Sequence, residues 1–132
     1  MRSRMLLGVL AMVALFTAVG VASDGSHASP RRWAIVNFTD PVALRGHVLM
    51  GTYLIVHDDG RMERNEPCTS IYRFDFARGP QALDQEFMCQ PAQRTICEKT
   101  TFTVKHDETR GINRVTAYQF AGDSELHGVP AW

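Results

Sequence analysis

Two histidines and three cysteines are the side chains best suited to chemistry in this chain. His57 ends a β-branched, aromatic run and leads straight into Asp58 and Asp59, while His127 sits near the C-terminal end, two residues after Glu125. Between them lie Cys68, Cys89 and Cys97, with Met62 and Met88 nearby. Imidazole, thiolate and thioether together suit copper. One reading is therefore a copper-like metal or redox site built from His57, His127 and Cys97. A blue-copper site would cluster Cys, His and Met within one short run. Here the last cysteine is Cys97, the next histidine is His106, and no methionine follows Met88. The plainer reading makes His57 a strand-end residue bonded to a turn carboxylate.

Three thiols allow one bridge and one leftover. Cys68 and Cys89 are the expected pair, because both fall in strand-like segments that can lie side by side. Closing that loop contributes about 3 kcal/mol in the chain-entropy account. Cys97 is the rival partner for Cys89. A bridged pair cannot supply thiolate ligands, so a Cys68–Cys89 disulfide leaves only Cys97 for metal; otherwise Cys97 is a small buried apolar residue.

Other catalytic arrangements are poorly served, and no catalytic residue is assigned. The run Asp58, Asp59, Gly60, Arg61, Met62, Glu63 lacks the alternating acidic positions of a calcium loop. No Gly-x-Ser-x-Gly elbow surrounds Ser70 or Ser124, and no phosphate-cradling glycine loop occurs. A small hydrolase, for example one pairing Cys97 with His106, is a further alternative. Asn37, Phe38 and Thr39 match a glycosylation acceptor, but at the end of an expected strand.

These residues must be positioned by strands. Residues 33–38 read as a first strand, ended by Thr39, Asp40 and Pro41. Residues 42–49 read as a bent strand or two short ones around Gly46. Residues 51–57 are the clearest strand, stopped by Asp58, Asp59 and Gly60. Residues 61–67 are a charged excursion with no good cap for a helix. Strands follow at 68–74, 85–90 (closed by Pro91), 100–106 and 113–120, and residues 121–132 read as an irregular tail. Phe102 and Val104 alternate with Thr101, Thr103 and Lys105, the period of a half-buried strand. The aromatics Trp33, Phe38, Tyr53, Tyr72, Phe74, Phe87, Phe102, Tyr118 and Phe120 are expected to fill the core. The fold class expected is all-β: a single antiparallel β-sandwich or barrel-like domain of about seven or eight short strands.

The N-terminal residues read differently. Arg2 and Arg4 precede an uncharged stretch of 17 residues, 5–21, which ends in small residues at Gly20 and Ala22. That is the layout of a secretory signal peptide, residues 1–22, cleaved after Ala22; an uncleaved anchor is the alternative. Residues 23–31 form a flexible leader, residues 32–120 the β domain and residues 121–132 the tail. Loss of residues 1–22 leaves 110 residues, enough for one domain. It also removes Arg2 and Arg4, which takes the formal net charge from +0 to −2. A near-neutral domain lacks the basic footprint of a nucleic-acid binder, and no second apolar stretch is long enough to span a bilayer. Export, to a periplasmic or secreted location, would place the cysteines where disulfides persist.

Three longer motifs stand out: NFTDPVALRGHVLMGTY at 37–53, EPCTSIYRF at 66–74 and YQFAGDSELHGVP at 118–130. Together with Phe87, Cys89 and Pro91 they resemble an uncharacterised family of small exported bacterial β proteins. The resemblance covers nearly all of the chain after the leader. It implies export and a β fold, and it implies no particular activity, cofactor or partner. The expected function is a non-catalytic envelope domain that binds a protein or a small ligand, with metal binding or redox chemistry as the alternative.

Overall fold

The computed structural model describes residues 31–131. The signal segment, nearly all of the leader and Trp132 lie outside the described residues. Eight strands follow in order: β1 (Arg31–Leu44), β2 (His47–Asp58), β3 (Thr69–Asp75), β4 (Gly79–Phe87), β5 (Gln90–Gln93), β6 (Thr101–Asp107), β7 (Ile112–Gln119) and β8 (Glu125–Gly128). One short helix, α1 (Asp59–Glu63), connects β2 to β3.

The β1–β2 hairpin turns at Arg45 and Gly46, both with positive φ (54° and 133°). A two-residue turn with that handedness matches the twist of the strands it joins. Thr39, Asp40 and Pro41 do not end the first strand as expected. They are absorbed by a register shift between Phe38 and Val42, where a proline without an N–H costs no ladder bond. Asp58 caps α1, its carboxylate accepting from the Arg61 N–H at 3.1 Å. The cap missed in the sequence is thus the last residue of the preceding strand.

Two further segments differ from expectation. Residues 79–87 are one strand, and Pro91 lies inside β5 instead of closing the strand before it. β5 is the last strand in the sheet order, an edge position that proline tolerates. Within the region read as an irregular tail, Glu125–Gly128 forms β8 by pairing with both β5 and β7.

All strands join one hydrogen-bonded sheet of order β4-β3-β2-β1-β7-β8-β5, with β6 on β7. It is a curled half-barrel instead of two separate stacked sheets. The β1–β7 contact is parallel (Val42 with Asn113, Ala43 with Arg114), and every other pair is antiparallel. The cause of the curl is legible in the connectivity. β4 and β5 stand at opposite ends of the order, yet Met88 and Cys89 alone join them. The three steps from Phe87 to Gln90 span at most about 10 Å, so the two ends must meet.

Leu44, Leu49, Tyr53, Ile55, Ile71, Phe87, Val115, Tyr118 and Phe120 fill the concave side, with Phe38 and Phe102 packed against them. Alternation decides which aromatics enter. Ala34 faces Ile55 and Val36 faces Tyr53 on the inner side, whereas Trp33 pairs with Val56 on the outer side and is 64% exposed. Tyr72 and Phe74 are half-buried. Among the described residues no helix is long and apolar enough to cross a membrane.

Candidate metal centre

The meeting of the two sheet ends brings together two overlapping donor groups, His57 with Cys68 and Cys89, and His57 with Glu125 and His127. His57 is the penultimate residue of β2, Cys68 immediately precedes β3, Cys89 is in the β4–β5 link, and His127 is in β8. Cys89 is the hub. Its Sγ lies 3.3 Å from His57 Nε2, 3.6 Å from His127 Nδ1 and 3.2 Å from Cys68 Sγ. The two imidazole centroids are 4.2 Å apart, and both histidines are 0% exposed. Donors on a tetrahedral zinc with ordinary bond lengths stand about 3.6 Å (N to S) and 3.8 Å (S to S) apart. The two N to S separations lie within a few tenths of an ångström of that value, and the S to S separation of 3.2 Å is shorter than its counterpart.

The far side of each ring is equally organised. His57 Nδ1 is 3.0 Å from Asp59 Oδ1, and His127 Nε2 is 3.6 Å from Asp123 Oδ2. Neither contact has the geometry of a hydrogen bond, so both ring nitrogens are buried without a hydrogen-bond partner. Arg32 joins the two carboxylates, donating through Nη2 to Asp59 at 2.8 Å and through Nη1 to Asp123. Arg32 reaches this spot because it is the register partner of His57, on the same inner face. The Glu125 Oε1 oxygen is also buried and unpartnered, 3.6 Å from His127 Nδ1. Tyr118 stacks on His127 with centroids 4.9 Å apart and 19° between planes, and its hydroxyl meets Thr69 Oγ1.

Burial governs the protonation of this cluster. It lowers His57, against the pull of Asp59, and it lowers His127 to about 4, helped by His57 and Arg32. Both imidazoles are therefore neutral at pH 7 and can ligate. Burial, then the adjacent Cys68 thiol, pushes Cys89 up to about 12. The pocket holds that thiol protonated until a positive charge arrives. Burial also opposes the charge on Asp123, but the Glu125 N–H and Arg32 outweigh it and its pKa is lowered. Glu125 is raised by burial. A divalent ion with two thiolates is neutral overall, the charge such a pocket tolerates best.

The sequence expectations are sorted by this geometry. His57 and His127 come together. Cys68 and Cys89 are neighbours as expected, but 3.2 Å is not a bond, and all three cysteines are free thiols. Cys97 lies outside the cluster, its Sγ donating to the Phe120 carbonyl at 3.4 Å. His106 pairs with Asn113 at an exposed hairpin. Asp123, Glu125 and Arg32 carry no site role in the sequence reading, whereas Asp59 is one of the turn carboxylates that the plainer reading places beside His57. A signal for the carboxylates was present: Asp59 is two residues after His57, and Asp123 four before His127. No family model, curated protein or solved structure matches the chain.

Proposed function

We propose that this is a small metal-binding β domain, working outside the cytoplasm, that holds one thiophilic ion of the zinc type. The ligands are His57 Nε2, His127 Nδ1, Cys68 Sγ and Cys89 Sγ. The observation that carries the reading is the pair of buried imidazoles aimed at one sulfur, each backed by a carboxylate, with a single arginine tying both carboxylates in place. Proteins orient ligating histidines with a carboxylate that accepts the other ring N–H, and Asp59 and Asp123 stand on that side of each ring, at 3.0 Å and 3.6 Å. Two sulfurs and two nitrogens in a tetrahedral set suit zinc, and Cu(I) competes for the same thiolates. Four protein donors fill the coordination shell, which makes the centre closed, as structural and storage sites are, and not open like a hydrolytic one. A role in docking a partner on loops or a sheet edge needs none of this machinery.

The test is metal analysis of the reduced full chain after zinc or copper loading. One ion per chain is expected. Cys89→Ser or His57→Ala should abolish stoichiometric binding, while Cys97→Ser should leave it intact. Absence of bound metal in the reduced, folded protein refutes the assignment. A second reading, a structural Cys68–Cys89 disulfide, is favoured by the proximity of the two sulfurs. It predicts one free thiol and no metal in protein recovered from the cell envelope.

A further inference from the structure

We propose that the centre is discharged by peroxide: a small oxidant of the hydroperoxide class couples Cys68 to Cys89 and the bound ion leaves. This rests on the metal reading above and adds a chemical control to it. The first support is the placement of the sulfurs. They are in direct contact, and the Cys89 backbone N–H donates to Cys68 Sγ at 3.3 Å, which holds the second sulfur against the first. A disulfide needs the two at about 2.05 Å, so a small side-chain rotation separates the metal-binding arrangement from the bonded one. The two states exclude each other, since a bridged pair offers no thiolate.

The second support is access. Cys68 is 1% and Cys89 6% exposed. Thiol–disulfide exchange requires a bulky partner to reach a sulfur in line, and this burial blocks it. A peroxide is hardly larger than two waters and needs a far smaller opening than a thiol partner does. The third support is the surroundings: Cys89 alone touches both imidazoles and the other sulfur, which makes it the sulfur that attacks the peroxide and Cys68 the resolving one.

The chemistry balances. The ion-bound Cys89 thiolate attacks a peroxide oxygen; a sulfur–oxygen bond forms, the O–O bond breaks, and the departing hydroxide takes a proton to become water. The Cys68 thiolate then attacks the Cys89 sulfur, the S–S bond forms, and the second hydroxide leaves and is protonated. Two thiolates lose two electrons, while hydrogen peroxide with two protons gains them and yields two waters. The divalent ion, left with two neutral imidazoles, dissociates.

The experiment uses the full chain carrying Cys97→Ser, which removes the only thiol outside the centre. The reduced protein is loaded with zinc and treated with hydrogen peroxide beside a zinc-binding chromophore. The expected result is release of one zinc per chain, loss of both thiols, a Cys68–Cys89 link in the peptide map, and recovery of thiols and zinc binding after reduction in denaturant and refolding. Retention of zinc after peroxide treatment, or release with Cys89 over-oxidised and Cys68 still a thiol, overturns the inference while leaving the metal reading standing. Failure of the reduced protein to take up zinc sinks both before any oxidant is added.

Discussion

Arg32 is the residue that ties together the two carboxylates beside His57 and His127. It sits beside Asp59 and Asp123 and, through them, both imidazoles. Arg32→Met keeps most of the stem but frees both carboxylates. The expected result is a 10–100-fold loss of metal affinity, read by competition with a chelator of known affinity, in a protein that still folds. Arg32→Lys should recover little, because a single ammonium cannot present the forked donors that hold two carboxylates at once. An unchanged affinity in Arg32→Met would show that the carboxylates orient nothing.

The same scale sets the pH response of the metal-free protein. His127 faces Asp123, Glu125, His57, Arg32 and Cys89, and its folded pKa is lowered from 6.5 to about 4 by burial first. The unfolded chain therefore takes up this proton before the folded one does. The stability that rests on the neutral ring is fully present above pH 6.5 and is lost as the pH falls from about 6.5 to about 4. Chemical denaturation of the metal-free protein across that window should show a falling midpoint. His127→Gln, which cannot protonate, should flatten the fall; an equally steep fall in that variant would place its origin elsewhere.

At the scale of elements, the pairing of β5 with β8 decides whether Cys89 and His127 meet. Pro91 pairs with His127 and Gln90 with Gly128. A Cβ at Gly128 would stand 3.0 Å from the Gln90 carbonyl oxygen and 3.3 Å from its Cβ. Gly128→Ala should thus push β5 away, costing about 1–3 kcal/mol by overpacking, and it should weaken zinc binding as well as lower the melting temperature. A loss of stability with unchanged zinc affinity would mean that β5 is not what places Cys89. These elements were the hardest to read from sequence. Residues 125–128 carry no strand signature of their own, and β8 exists because two neighbours supply its hydrogen bonds. Residues 51–57, by contrast, were legible at once, since their β-branched and aromatic residues alternate against a core face.

At the scale of the molecule, the candidate ligands come from both ends of one curled sheet, so a bound ion acts as a staple between them. An ion present at a thousand times its dissociation constant adds about 4 kcal/mol to folding. For a domain of this size that corresponds to a rise of roughly 15–30 °C in melting temperature. Calorimetry of the zinc-loaded and chelator-treated reduced protein checks the figure. A coincident melting temperature would rule out a stapling ion. Hydrogen exchange should locate the protection in β5 and β8, the short strands with least other support.

Much was decided by local patterns. Alternation, turn residues and the spacing of aromatics define an all-β domain of about eight strands, and residue types alone single out His57 and His127 as candidate ligands. What only the folded chain settled is which groups converge. The two-residue link between β4 and β5 closes the curl, and that closure sets Cys89 between two histidines 70 positions apart in sequence. Register then delivers Arg32 to the same spot, while Cys97, as good a ligand on paper, is left outside. Local preference acts over a few neighbouring residues. Coordination geometry depends on long-range pairing, which a linear reading of residue types does not contain.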